Sequence, residues 1–597
     1  MPSIRAFLSG LVVAALATST TASGSKCKCS PHDKCWPTDA DWKAFNKTLN
    51  GALIKTVLPA AVCYPGPQMN AAACQTVDSL WTNSTYQAES PVGYDYPYWT
   101  GSSCLPVNAS AGEKPTGECT IGKLPWYSIE ATDPSLVVKG VNFARKNNIR
   151  LVIKNTGHDL LGRSAGYGSL NIWTYHLRQG VTFQKKYKSS NKCSKTTWTG
   201  SAYSVGGGYV WSDLYARAKQ DNVVVVGGGN PGVSVTGGWM QGGGHSPASH
   251  DFGLGADQLL EAQVVVADGE LVTANACSNP DLYFALRGGG GGTYGVVVSA
   301  VIKAHPETSV AAQTFSVVPK TTSDKDTDAL FDAITTIHNY FPFLSDNGYS
   351  GYGSWGIQGP TPLTGNSTTG YIHDIAIFGK SIQTAQKVFA PVAKDLQKYS
   401  KSLTVETHYT LFKSYTDYYT NQSGVYGAVG SNALLGSRFF DKAALTSPKL
   451  KNTLKTIGGN PGEYTSINLE LVAGGQVAKD KSDQYSGVNP AWRTAYLHNI
   501  VARGWLDSTP QADITAIEND VTYKKLGAMK ALAPNTGCYM NEADPLDPDY
   551  KIDFYGSHYD RLSCIKDFYD PHGVFYCPTC VNSDKFTESA NGELCLK

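Results

Sequence analysis

Four short patterns in this chain combine residue types and spacings that could do chemistry. In Lys154-Asn155-Thr156-Gly157-His158 an imidazole follows a glycine directly after the β-branched run Ile149 to Ile153. On residue type alone, such a histidine is a surface or hydrogen-bonding side chain. Gly157, Gly162, Gly166, Gly206, Gly208, the run Gly227 to Gly229 and the run Gly242 to Gly244 form the second pattern. Glycine loops let several backbone N–H groups approach a phosphate without side chains in the way, which would suit a large polyanionic cofactor. They are equally the tight turns and bulges of a glycine-rich β protein. The third pattern, Gly162-Arg163-Ser164-Ala165-Gly166, satisfies G-x-S-x-G and would make Ser164 a hydrolase nucleophile if a helix followed. Turn and strand residues follow instead. The fourth, Cys577-Pro578-Thr579-Cys580, is a C-x-x-C, for which separate structural disulfides are expected. Without a second such pair it is no zinc signature, and no metal is expected.

Two segments match G-x-G-x-x-G, Gly227 to Gly232 and Gly290 to Gly295. A dinucleotide-binding βαβ unit needs a strand before that loop and a helix after it. The first match leads into Pro231 and β-branched residues. The second has helix-like Asp281 to Arg287 before it and a strand after it. Neither fits.

The elements that must position these loops follow from periodicity. Trp42, Phe45, Leu49 and Leu53 keep helical spacing through Asp41 to Pro59, inside a cysteine-rich extension that shows no catalytic constellation. Leu136 to Asn148 is expected as a helix leading to the strand Ile149 to Ile153. Val223 to Val226, Ala262 to Ala267 and Gly295 to Lys303 read as further strands. From residue 307 the glycine motifs stop. Strand-like Tyr349 to Trp355 and Gly370 to Phe378 then alternate with helices such as Ala385 to Leu396, which predicts an antiparallel sheet flanked by helices.

With 597 residues the chain exceeds one simple domain. A net charge of +1 carries no footprint for nucleic acid or anionic membrane. Charged residues make up 17%, below the roughly 25% usual for soluble domains, while Gly (61) and Tyr (34) are abundant. Arg5, the apolar run Ala6 to Ala17 and the small residues Thr18 to Ser23 read as a secretory leader, too short for the ~20 residues that span a bilayer. Eight of the fourteen cysteines precede residue 194 and five follow residue 537, which predicts disulfides in an oxidising compartment. Sequons at Asn46, Asn83, Asn108, Asn366 and Asn421 are candidate glycan sites of a secreted, extracellular protein.

The order of motifs adds a resemblance. Ile153 to His158 is followed by Val205-Gly206-Gly207-Gly208-Tyr209-Val210-Trp211-Ser212-Asp213-Leu214-Tyr215, then Gly237 to Gly244, Gly253-Leu254-Gly255-Ala256-Asp257, and Leu286-Arg287-Gly288-Gly289-Gly290 with Tyr294-Gly295-Val296-Val297. Tyr555 to Leu562 and Lys566 to Pro571 close the series. From Tyr127 to Pro306 and from Tyr539 to Asp584 this series resembles the vanillyl-alcohol-oxidase superfamily of FAD oxidoreductases, in its berberine-bridge-enzyme-like branch. Cys35-Trp36-Pro37 and the leader are similar to fungal isoamyl-alcohol-oxidase-like proteins.

The resemblance implies an α+β fold, with a two-subdomain PCMH-type FAD-binding domain and a substrate domain built on the antiparallel sheet. The expected divisions are a leader (1–22), the extension (23–120), the FAD-binding domain (121–306), the substrate domain (307–525) and a C-terminal berberine-bridge-like segment (526–597) packing back on the FAD domain. It implies oxidation of an alcohol or hydroxylated small molecule by O2, with carbohydrate oxidation as the alternative and a hydrolase using Ser164 as the more distant one.

His158 is implied as a covalent anchor of FAD. A second anchor, cysteine in many members, is replaced by Asn230, so a single histidyl bond is expected. Lys154, Asn155, Thr156, Gly157, Asp159, Gly162, Arg163, Ser164, Gly229, Val233, Gly237, Gly242, Gly243, Gly244, Val296 and Asn541 are the remaining implied cofactor residues. Val233 stands where the branch carries valine in oxygen-reactive members. Tyr539-Met540-Asn541 matches a Y-x-N motif whose tyrosine serves as base, although free tyrosine ionises near 10 and would need a neighbouring charge or concerted transfer. Glu470 is the candidate partner, or an exposed strand carboxylate. His558 would line the flavin or satisfy backbone groups.

Overall fold

The computed structural model describes residues 27–108, 112–115, 117–360, 362–363, 365–423, 429–589 and 592–597. The expected leader lies outside the described residues. Strands β1 (Leu53–Lys55), β2 (Tyr127–Glu130), β3 (Leu151–Lys154) and β4 (Leu170–Trp173) form a four-stranded sheet in the order β1-β2-β4-β3. Its β2, β4 and β3 run parallel, and β4 is buried throughout. The connecting helix Pro134–Lys146 starts on Pro134 because Asp133 caps it, accepting from the Ser135 N–H at 2.8 Å. It therefore sits two residues earlier than expected. Leu136, Val137, Val141 and Ala144 are its buried face.

A second sheet joins β5 (Val181–Gln184), β6 (Ser201–Gly206), β8 (Leu259–Val265), β9 (Leu271–Ala274) and β10 (Val296–Pro306) in the order β5-β6-β10-β8-β9, with β7 (Val223–Val224) on β10. The glycine loops of the sequence connect these strands. The extension's first helix is Asp39–Thr48, with Trp42 and Phe45 buried. Left-handed Asn50 and Gly51 then end the helical course, so Leu53 falls on β1 rather than on the same helix face.

The third sheet holds seven antiparallel strands: β11 (Val310–Pro319), β12 (Tyr349–Gly356), β13 (Gly370–Phe378), β14 (Leu403–Phe412), β15 (Asn432–Asp441), β16 (Thr465–Leu471) and β17 (Ala495–Trp505). Their order is β14-β11-β13-β12-β16-β17-β15. Side chains alternate between two faces. Tyr349, Trp355, Tyr371, Ile375, Ile467, Leu469 and Val501 pack with helices Asp324–Asp346, Ile382–Leu396 and Leu450–Gly458 in one core. The alternate residues face a cavity shared with the glycine loops.

The C-terminal segment returns to the first sheet, where Phe575 bridges Leu151 and Lys566 Nζ donates to the Thr293 carbonyl at 2.7 Å. Six disulfides occur among the described residues, one of them joining Cys27 to Cys595. Cys577 and Cys580 pair with each other, not with separate partners as expected. Left-handed Thr579 closes the turn between them. No helix of the described residues is long and apolar enough to cross a membrane.

Candidate functional site

The cavity measures about 1010 Å³, at the upper end of ordinary ligand pockets. One wall consists of loop Asn155 to Ser164, Gly228 to Asn230, Gly237 to Trp239, and Gly291 with Gly292. The facing wall is the open face of the seven-stranded sheet, through Tyr352, Ile372, Asp374, Leu435, Asn468, Glu470 and Ile500.

The His158 loop is built from its backbone outward. Asn155 Nδ2 donates to Thr174 Oγ1 (2.9 Å) and to the Gly207 carbonyl (2.7 Å), tying the end of β3 to both neighbouring sheets. Gly157 has φ +89°, and a Cβ there would lie 2.5 Å from the Gly93 carbonyl oxygen, so only glycine fits. His158 emerges into the cavity with Nδ1 2.9 Å from Asp95 Oδ2. Asp95 is fully buried and also accepts from Ser84 Oγ at 2.8 Å. Tyr96 meets the imidazole edge-on, ring centroids 5.5 Å apart. Asp95 and Tyr96 belong to the extension, which therefore does contribute to the site. Sequence reasoning had no signal for this long-range contact.

Strand register assembles the opposite side. Tyr352 on β12 stands opposite Glu470 on β16, and Glu470 stands opposite His498 on β17. His498 Nδ1 lies 2.7 Å from Glu470 Oε2. Into this row come His245 from the glycine loop and Glu542 from the short helix Met540–Glu542. His245 Nε2 is 3.1 Å from Glu470 Oε2 and 3.1 Å from Glu542 Oε2, and its Nδ1 is 3.1 Å from Tyr352 Oη. Gly244 positions His245: it has φ +69°, and a Cβ would lie 2.7 Å from the Trp239 ring. Tyr539 packs against this histidine, ring centroids 5.2 Å apart. Its hydroxyl donates to the Trp239 carbonyl (3.1 Å) and accepts from Asn541 Nδ2 (2.8 Å).

Burial, then the neighbouring Glu542, holds Glu470 well above the usual carboxyl range. Burial also works against ionisation of Glu542, yet His245, by charge and hydrogen bond, keeps it below its usual value. Burial alone would depress His245, but Glu470 and Glu542 raise it. His498 is pushed down to about 4 by burial, against the pull of Glu542. The shifts run in opposite directions for the two acids, so Glu542 ionises more readily than Glu470. Of the two acids, Glu542 is the one favoured as a proton-accepting carboxylate. Burial and then Glu542 push the Tyr539 phenol well above 10. Glu542 and Glu470 both act on it in the direction opposite to the one a tyrosinate base needs.

The structure brings Asn155, Thr156, Gly157, His158, Asp159, Arg163, Ser164, Gly229, Asn230, Val233, Gly237, Val296, Glu470, Tyr539 and Asn541 to the cavity wall. It does not bring Lys154, Gly162, Gly242, Gly243, Gly244 or His558 to that wall. Lys154 is buried behind the loop, its ammonium 3.3 Å from the Gln87 carbonyl and 3.3 Å from that of Thr156. Burial lowers it to about 7. Gly162 is occupied by Trp99, and Gly242 to Gly244 are backed by Asn541, Trp492 and Trp239. His558 stands against Phe284, ring centroids 5.3 Å apart, and its buried Nδ1 has no hydrogen-bond partner among the described residues. Ser164 Oγ donates to Asp159 Oδ2 at 2.6 Å and the residues after it are turn, which removes the hydrolase geometry. Tyr352, His245, His498 and Glu542 escaped sequence reasoning, although His245 ends Gly-Gly-Gly-His and Glu542 directly follows Tyr-Met-Asn.

The residues fit FAD. The glycine wall leaves backbone exposed along the cavity, and Arg163 reaches it with Nε buried and unpartnered and no acidic partner among the described residues. No cysteine lines the cavity. A cavity of this build defines a flavin-dependent enzyme, and comparison with known proteins agrees. A family model described as FAD binding domain matches residues 125–275, and one described as Berberine and berberine like matches residues 538–582. The chain belongs to the vanillyl-alcohol-oxidase and berberine-like family of FAD-dependent oxidoreductases. It is 43% identical to FAD-linked oxidoreductase hmp9 of Hypomyces subiculosus over 96% of this chain and 91% of that one. The crystal structure of VAO-type flavoprotein MtVAO713 from Myceliophthora thermophila C1 superposes with a TM-score of 0.93 at 44% identity, covering 96% of this chain and 100% of that chain. That of MtVAO615 from the same fungus gives 0.85 at 31% identity, covering 96% and 100%.

Proposed function

We propose that this oxidoreductase is a secreted oxidase that converts a carbinol to a carbonyl, with one covalent bond from His158 to FAD. FAD supplies the hydride acceptor, and O2 takes the two electrons onward to give H2O2. The observation that carries the reading is the convergence of the His158 loop, Tyr539 and the proton-accepting cluster on one cavity. The carbinol carbon loses hydride, and its hydroxyl proton passes to the Glu542 carboxylate that His245 holds in place. Tyr539 keeps its proton and, fixed by Asn541 and the Trp239 carbonyl, orients the substrate oxygen. Asp95 engages Nδ1 of His158, so Nε2 is the ring nitrogen that would be left for a bond to FAD. Asn230 spends its side-chain oxygen on the Gly232 N–H (2.9 Å), and the absence of a lining thiol supports a single bond.

The far wall favours a substrate with an apolar body. Leu363, Ile372, Leu435, Ile500 and Trp505 line it, where an oligosaccharide would want hydrogen-bonding groups. We keep carbohydrate oxidation as the second reading because Asp374, Ser466 and Asn468 add a polar strip. Export is supported by the leader, the disulfides and the exposure of Asn83, Asn108, Asn366 and Asn421; Asn46 is half-buried. Oxygen uptake and peroxide release across alcohols, hydroxylated lipids, phenols and sugars test the reading. Uptake with apolar-bodied alcohols is expected. Flavin released to the supernatant on acid precipitation would refute covalent attachment.

A further inference from the structure

Four side chains from four separate segments, His245, Glu470, His498 and Glu542, each offer one ligating atom, and these atoms all lie within 4.8 Å of one another. Four of the separations are 3.1, 3.1, 2.7 and 3.6 Å. A tetrahedral zinc-class ion with bonds near 2.0–2.1 Å needs ligand separations of about 3.3–3.4 Å. The four separations bracket that value, from 2.7 to 3.6 Å, before any ion enters. His245 and His498 are almost fully buried, and no Lys or Arg pairs with either carboxylate among the described residues.

An independent observation concerns the side of His245 away from the cluster. Tyr352 Oη lies 3.1 Å from Nδ1 and 3.3 Å from the carbonyl oxygen of the same residue. When the hydroxyl donates to that carbonyl, its oxygen accepts from Nδ1–H. Nε2 then presents a lone pair to two carboxylate oxygens. Glu470 Oε2 and Glu542 Oε2 each lie 3.1 Å from that nitrogen. Acceptors so arranged require protons or a cation between them. An outer hydrogen bond that fixes the imidazole tautomer is a usual feature of metal-bound histidine.

We propose that His245, Glu470, His498 and Glu542 form a binding site for one zinc-class divalent cation, which replaces the protons otherwise shared among them. Two carboxylates and two neutral imidazoles would leave the occupied site uncharged. The mixed nitrogen and oxygen donors suit Zn2+ and Co2+ better than Ca2+ or Mg2+.

The test uses the flavin-loaded protein, dialysed against chelator and titrated with CoCl2. One Co2+ per chain should bind, giving ligand-field bands to the red of the flavin absorption with the intensity of four-coordinate cobalt. Added ZnCl2 should erase them. Binding should be lost in the double variant His245→Ala/Glu542→Gln, whose flavin spectrum and melting temperature report that it is folded. Tyr352→Phe should weaken binding about tenfold. Cobalt binding equal in wild type and double variant, or no such bands, would overturn the proposal. A bound ion also occupies Glu542, so Zn2+ should inhibit turnover. That arm rests on the proposed oxidase reading: cobalt bound without inhibition by Zn2+ would sink Glu542 as proton acceptor and leave the metal site standing.

Discussion

Asp95→Asn separates the orientation of His158 from its presence. The carboxylate is fully buried and reaches Nδ1 at 2.9 Å, so the bond is charge-assisted on a desolvated group. Such bonds contribute about 1.5–3 kcal/mol, against about 1 kcal/mol for a neutral one. An asparagine can put its carbonyl oxygen in the place of Oδ2, where it accepts from both Nδ1–H and Ser84 Oγ, so shape and tautomer survive while the charge is lost. The expected difference is about 1–2 kcal/mol, or a slowing of flavin attachment by roughly 10- to 30-fold, since 1.4 kcal/mol is tenfold. Attachment is followed as the fraction of flavin that stays with acid-precipitated protein during incubation with FAD. Asp95→Ala, which removes the acceptor outright, should be slower still. Attachment by Asp95→Asn at the wild-type rate would refute the argument that Asp95 orients the nucleophile. Covalent flavin retained in His158→Ala would refute the anchor itself.

Three further outcomes are expected. Glu542→Gln should lower the rate of flavin reduction by at least 100-fold, whereas Tyr539→Phe, which loses an orienting hydroxyl only, should cost less; stopped-flow reduction that ranks them in reverse would restore tyrosine as base. Lys154, lowered to about 7 in the folded chain against an ordinary 10.5, makes stability rise with pH between those values, because there the unfolded chain binds the extra proton. The melting temperature of wild type relative to Lys154→Met should climb from pH 7 to 9, with a slope near 1.4 kcal/mol per pH unit at most, and a flat difference would contradict it. Ser164→Ala should lose about 1 kcal/mol of stability with its bond to Asp159 and keep oxidase turnover within a few-fold; esterase activity abolished by this change would revive the hydrolase reading.

How much of the site was legible depends on how local its causes are. The His158 loop could be read because its geometry is written in adjacent residues, a strand ending in Asn-Thr-Gly where Gly157 alone tolerates the turn. Strand β13 (Gly370–Phe378) falls on its expected bounds because β-branched and aromatic residues alternate between glycines. Lys154 misled for the opposite reason: lysine beside a glycine loop suggests a phosphate contact, yet the two-residue strand period turns it inward against carbonyl oxygens. Asp95 was invisible, since 63 residues separate it from His158 and an acid in a cysteine-rich segment carries no signal of its own.

The cluster shows what a period-two reading can and cannot do. Ile467-Asn468-Leu469-Glu470-Leu471 puts its apolar residues on one face and Glu470 on the other, and Leu497-His498-Asn499-Ile500-Val501 breaks that pattern at a histidine. Each strand alone reads as half-exposed, which is why Glu470 read equally as a candidate partner and as an exposed strand carboxylate. Only the register, Glu470 opposite His498 and Tyr352, places both polar groups in one buried row. Pairing is a property of two strands at once, and no single-strand pattern encodes it. The residue before a strand pair is formed is therefore ambiguous in a way that the glycine loop is not. A cross-strand row of Tyr, Glu and His buries an acid whose only partner in the row is His498, which is costly unless something outside the sheet adds to it. Here His245 and Glu542 do so, arriving from the glycine loop and from the segment after Tyr539. The same two residues join the glycine-loop wall to the seven-stranded sheet, so the proposed chemistry sits where both must be correct together.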